Sequence, residues 1–154
     1  MRLRLIAVGT RMPDWVDMGV QDYVRRLPRE LAFALDEVKS AAHRASATAA
    51  TEAEGQRLLQ RAGAGAQLIV LDERGERWTT QDLAERMNEW RRDAADVALL
   101  VGGADGHAPA VRAAARAVWS LSGLTLPHAL VRVIVVEQIY RASSMLRGHP
   151  YHRG

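Results

Sequence analysis

The residues best suited to chemistry gather in the last quarter of the chain, residues 119–153. This stretch opens on Ser120, Leu121, Ser122, Gly123, Leu124 and Thr125, small and polar residues set among leucines. Such a composition lets main-chain groups approach a bound molecule closely. It closes on Tyr151, His152 and Arg153, which bring together a phenol, an imidazole that titrates near neutrality and a planar guanidinium fork. Chain ends are usually expendable, so an end this rich in titratable and donor groups reads as part of a site. Upstream, Gly102, Gly103, Ala104, Asp105 and Gly106 form a glycine-rich run without the Lys and Ser/Thr of a phosphate-binding P-loop or the spacing of a dinucleotide fingerprint. Its plain alternative is a tight strand-to-helix turn.

These residues need a scaffold, and the hydrophobic pattern supplies an α/β one. Residues 3–8 predict a first strand ended by Gly9 and Thr10; Pro13 then opens a helix carrying Val16, Val20 and Val24, with Trp15 as a core anchor, until Pro28 stops it. Residues 31–38 predict a second strand. Residues 40–51 are Ala-rich without apolar anchors and read equally well as a helix start or a connector, whereas residues 52–62 predict a helix ended by Gly63 and Gly65. Residues 67–71 and 97–101 are short apolar runs, expected as buried parallel strands whose carboxyl ends deliver Leu71, Asp72 and Gly102. A charged loop is expected over residues 73–78, followed by a helix capped by Thr79 or Thr80 and bearing Leu83, Met87 and Trp90. Pro109 is expected to open a helix through Val118. The segment after Pro127 has the valines of a strand, but its proline start and the Glu137 and Arg141 pair four residues apart favour a helix, buried nearly all round.

With 154 residues, 48% of them hydrophobic and 25% charged, the chain suits one soluble domain, residues 1–154. No apolar run reaches the roughly 20 residues of a bilayer span, and the amino-terminal apolar stretch reads as a strand of a cytoplasmic protein, too short for a signal peptide. Absence of cysteine excludes thiolate nucleophiles and disulfides. The five histidines have no HxxxH spacing, so no metal is expected. A net charge of +3, carried almost wholly by arginine with Lys39 the single lysine, suits a polyanionic partner if gathered on one face.

Five stretches in order along the chain, LIAVGTRMPDW, LDERG, LLVGGADG, LTLPHALVRVIVVEQIYRA and GHPYHR, closely resemble the ribosomal large subunit methyltransferase H group of the SPOUT superfamily. The resemblance covers essentially the whole chain. It implies a parallel-rich sheet flanked by helices with a carboxyl-terminal trefoil knot, and S-adenosyl-L-methionine as cofactor. By the same resemblance the cofactor positions fall on Leu71, Gly102, Leu121, Ser122, Gly123, Leu124, Thr125 and Leu126, of which Gly123 stands where family members vary. The implied reaction is methylation of N3 of pseudouridine 1915 of 23S ribosomal RNA, in the usual rRNA numbering. The implied partners are ribosomal RNA, in the large subunit or the assembled ribosome, and a second copy of the chain in a homodimer.

An imide N3 keeps its proton at neutral pH, so the reaction needs a general base or a stabilised anion. Candidates are His128, Glu137, Arg141, Tyr151, His152 and Arg153, with Arg141, Tyr151 and His152 expected to be catalytic. Arg141 would stabilise negative charge or orient phosphate, and Tyr151 and His152 would hold or deprotonate the ring, His152 being the preferred base. Plainer roles stand beside these: a helix ion pair for Glu137 and Arg141, a helix-start hydrogen bond for His128, and surface positions for His107 and His149. Asp72 and Asp105 either face the sulfonium or cap turns. Arg11, Arg25, Arg26 and Arg29 are candidate phosphate contacts. The rival readings are a non-catalytic ribosome-binding factor that keeps the fold, and an unrelated nucleotide enzyme using the glycine-rich loop on phosphates.

Overall fold

Alternating strands and helices build one layer of sheet covered on both sides. A computed structural model of the chain describes residues 1–153. In chain order the elements are β1 (Arg2–Val8), α1 (Asp14–Val24), β2 (Ala34–Val38), α2 (Ala47–Ala62), β3 (Gln67–Arg77), α3 (Thr80–Arg92), β4 (Asp96–Val101), α4 (Pro109–Ala114), β5 (Ala117–Ser120) and α5 (His128–Leu146). The five strands lie in the order β2-β1-β4-β3-β5 and all pair in parallel. Side chains alternate across a strand, and the sheet uses both faces. Leu3, Leu5, Ala7, Ile69, Leu71, Val97, Leu99 and Val101 pack with α1, α3 and α5, whereas Ile6, Val8, Leu68, Val70, Ala98 and Leu100 pack with α2 and α4. Burial on both faces explains why these strands read as unbroken apolar runs.

Polar side chains fix several helix ends. Arg4, only 3% exposed, donates to the carbonyls of Arg61 and Ala62 and to Asp96, so it caps the carboxyl end of α2. Thr79 and Asp82 form a reciprocal capping box at the start of α3. Ser46 accepts from the Ala49 amide and starts α2 there, which leaves residues 40–45 as connector.

Several expected elements end elsewhere. The first helix stops at Val24, and Arg29–Leu31 is a short 3-10 turn followed by Ala32 in the left-handed region, so the second strand begins only at Ala34. Trp15 is 57% exposed, because the buried stripe of α1 is the narrow one of Val16 and Val20 and Trp15 stands one position off it. The helix expected through Val118 breaks at Ala114. The next residues form β5, whose β-favouring Val118 and Trp119 pair with β3 at the sheet edge. That pairing also extends β3 through part of the expected charged loop, with a register break between Leu71 and Glu76. The helix after Pro127 forms as expected. Every residue of α5 except its last, Leu146, is buried or half-buried.

Candidate functional site

In open parallel sheets, ligands collect beyond the carboxyl ends of the strands. Here the ends of β3, β4 and β5 border a cleft of about 840 Å³ with the start of α5. Its walls come from Leu71 to Arg74, from Val101 to His107, and from the loop that leads from β5 to Pro127, His128 and Val131. Local geometry fixes each wall. Gly106 has φ of 78° and returns its amide to the Gly103 carbonyl at 3.1 Å, folding the glycine-rich run into a compact turn. A Cβ on Gly102 would stand 2.8 Å from the Gly106 carbonyl oxygen, so only glycine fits beneath that turn. In the loop after β5, Ser120 donates to the Ser122 carbonyl, Ser122 Oγ accepts from the Leu124 amide, and Thr125 donates to Glu73 at 2.8 Å across the cleft mouth. Arg112 joins the two other walls by donating to the His107 carbonyl and to Asp72.

Electrostatics distinguish the titratable groups around the cleft. Burial alone would raise the Asp72 carboxyl, but hydrogen bonds from Arg74 and the charges of Arg74 and Arg112 outweigh it and hold the group below the usual carboxylate range. His107, expected at the surface, is 7% exposed because the turn folds over it. Burial pushes its pKa down against the pull of Asp72 and of the Leu100 and Leu71 main chains. His128 is shifted down as well, by burial and by Arg132, against Glu54. Both imidazoles are therefore neutral at pH 7. Five buried side-chain polar atoms among the described residues lack a protein partner, and three of them, His107 Nε2, Trp119 Nε1 and His128 Nδ1, belong to residues that line this cleft. Orphaned buried donors and acceptors at a cavity wall are what a polar ligand would satisfy.

The structure brings Leu71, Gly102, Leu121, Ser122, Leu124, Thr125 and Leu126 to this one cleft. Gly123 sits beside it, against the exposed Arg77 guanidinium, which would have to swing aside for a Cβ. Arg141, Tyr151 and His152 do not line the cleft of their own chain. Glu137 lies six residues beyond Val131, the last residue of α5 on the cleft, about 9 Å along the helix at 1.5 Å per residue; Arg141 and Tyr151 pack against it, while His152 folds back on His149. Arg141 pairs with Glu137 at 2.8 Å, and the Tyr151 hydroxyl donates to Glu137 at 3.2 Å and lies 3.4 Å from that of Tyr23. Burial, with the Tyr23 and Glu137 contacts, raises the Tyr151 pKa far above the ordinary phenol value, so it stays protonated. His152 Nδ1 lies 2.6 Å from the His149 carbonyl; a carbonyl only accepts, so Nδ1 carries a proton, and in the neutral ring Nε2 is the accepting nitrogen.

The family model described as "Predicted SPOUT methyltransferase" matches residues 1–152. The chain belongs to this SPOUT methyltransferase family. Among solved structures, the SpoU methyltransferase AviRb from Streptomyces viridochromogenes is similar over 96% of this chain, with 15% identity and a TM-score of 0.45. This SPOUT family member spans 61% of that chain's length. Among its described residues no group of three potential metal ligands occurs, and no helix is long and apolar enough to cross a membrane.

Reasoning from sequence passed over one central residue of this SPOUT chain. Arg132 is fully buried in α5, pairs with Glu37 of β2, and donates to the carbonyls of Val8 and Gly9. It ties the start of α5, and hence His128, to the ends of β1 and β2. A signal existed: Arg132 is the lone charge between Pro127 and Glu137, in an otherwise apolar run apart from His128.

Proposed function

We propose that this chain is an S-adenosyl-L-methionine-dependent RNA methyltransferase that modifies N3 of a pseudouridine in large-subunit ribosomal RNA, the position numbered 1915 in the usual rRNA scheme. The observation that carries the reading is the meeting of three loops, from β3, β4 and β5, around one carboxyl-edge cleft with unpartnered polar atoms in its walls. The cleft suits the cofactor on its own terms. Leucine walls at Leu71, Leu121 and Leu126 flank main-chain groups of Gly102 and the Ser122 to Thr125 turn, and Asp105 adds a carboxylate near a cation, whereas Asp72 is taken by Arg74 and Arg112. When bound, S-adenosyl-L-methionine supplies an electrophilic methyl group and leaves as a neutral thioether.

The acid-base work falls to the protein. His152 Nε2, the accepting nitrogen of the neutral ring, would take the N3 proton. Arg141, kept charged by its hydrogen bond to Glu137, offsets the negative charge that develops on the ring carbonyls. Tyr151, held as a phenol, orients the ring as a donor and is not the base. The trefoil knot of the carboxyl half belongs to the same reading.

Because none of these three residues lines the cleft of their own chain, the reading requires a homodimer in which each tail serves its partner's cleft. The same separation also suits the rival, a ribosome-binding factor without turnover. Mixed dimers distinguish the two. A His152→Ala subunit keeps the cleft and loses the base, while a Ser122→Trp subunit loses cofactor binding and keeps the tail. Either homodimer should be inactive, and an equal mixture should recover roughly a quarter of wild-type methylation, since half the dimers are mixed and each has one complete site. A mixture as inactive as its parents contradicts shared sites.

A further inference from the structure

A second cleft of about 590 Å³ runs along the edge strand β2, from Thr10 and Lys39 at the carboxyl edge to Arg61 beside Asp36, and is lined by Thr10, Glu37, Val38, Lys39, Arg57, Gln60 and Arg61. Its charges do not cancel. The Glu37 carboxylate is taken by Arg132 from within. Arg57 donates to the Lys39 carbonyl at 2.6 Å, a bond that fixes the guanidinium without neutralising it. Arg61 reaches Asp36 only at 3.7 Å and is half exposed. Of the four arginines expected from sequence to grip phosphate, Arg25 and Arg26 both pair with Asp22, and Arg26 also lies over the Tyr23 and Tyr140 rings at 4.8 and 4.9 Å, whereas Arg11 and Arg29 are exposed. The two clefts are joined through the interior, since Arg132 holds Glu37 on one side and the Val8 and Gly9 carbonyls on the other, next to His128. β1 neighbours β4 in the sheet, so at about 4.8 Å per strand the second cleft begins one strand spacing from the nearest loop that borders the first and extends to β2, four spacings, about 19 Å, from β5.

From this we infer that Lys39, Arg57 and Arg61 form a phosphate-binding site for the RNA strand that runs on from the nucleotide in the cofactor cleft. The inference rests on the RNA methyltransferase reading and adds a binding element to it. Three cations from two elements, two of them planar donors, suit phosphodiester oxygens that lie outside the target base and fix the strand's register without reading its sequence. The test compares wild type with an Arg57→Ala/Arg61→Ala double variant on a short RNA hairpin and on large ribosomal subunits. Each phosphate contact on single-stranded RNA contributes about 0.7 to the slope of log affinity against log salt. The double variant should therefore flatten that slope by about 1.4 and weaken hairpin binding roughly 10- to 30-fold at 0.1 M salt. Its KM for subunits should rise with kcat unchanged, its calorimetric affinity for S-adenosyl-L-methionine should match wild type, and Arg57→Lys/Arg61→Lys should restore most of the binding. An unchanged slope and affinity overturns the inference while wild-type methylation of RNA leaves the parent reading standing. A loss seen with subunits but not with the hairpin also overturns it, because the contact is then with ribosomal protein. Absence of any RNA methylation by wild type defeats the parent reading instead.

Discussion

At Arg132 one side chain settles whether the site has a floor. The guanidinium is buried and donates to two main-chain carbonyls as well as to Glu37, whose carboxylate is a third exposed in the second cleft, so removing it leaves the carbonyls without a donor while Glu37 regains water. Arg132→Ala should cost about 2 to 4 kcal/mol in urea unfolding; a loss below about 1 kcal/mol would mean that the carbonyls find water instead. His107 acts through pH. Its folded pKa lies below the ordinary 6.5 because burial disfavours the cation, so the unfolded chain binds the proton more readily. Its contribution is therefore intact above pH 6.5 and lost as pH falls toward the folded value. His128 shares that direction, while Asp72 acts in a lower window, below its ordinary 3.8. Between pH 7.5 and 5.5 the melting temperature of wild type should fall more than that of His107→Leu; equal falls would remove His107 from the acid response.

Among the elements, the β3 and β5 edge carries the most tension between local preference and tertiary demand. An Ala-rich stretch after Pro109 invites a helix, and sequence periodicity extends it to Val118, yet pairing with β3 claims residues 117–120 for the sheet. The long-range hydrogen bonds that decide this leave no periodic trace in the sequence. Gly75 shows how close the strands run: a Cβ there would lie 2.5 Å from the Val118 carbonyl oxygen. Gly75→Ala should cost about 1 to 3 kcal/mol by forcing backbone apart, detectable as a lower urea midpoint at unchanged m-value; an unshifted midpoint would show that the edge yields freely. Elements with strong local markers were legible. The Thr79 cap, the glycines after α2, the apolar runs of β1 and β4 and the proline start of α5 each encode their own boundary. Trp15 and His107 were not, because exposure of the one and burial of the other depend on which neighbours fold over them.

For the molecule as a whole, chain topology explains why a site read from scattered letters falls into two halves. Parallel pairing brings the ends of β3, β4 and β5 to one edge, so the loop residues expected from sequence meet there. The length of α5 carries Arg141, Tyr151 and His152 away to the α1 side, a separation that spacing along the chain cannot reveal. One measurement bears most directly on the function. Wild-type protein is incubated with large ribosomal subunits and with ribosomes in the presence of S-adenosyl-L-methionine labelled on its methyl group, and the RNA is then digested to nucleosides. The expected result is label in N3-methylpseudouridine at a single position of the large-subunit RNA. Absence of label from every ribosomal substrate, or label in a different nucleoside, contradicts the proposed function.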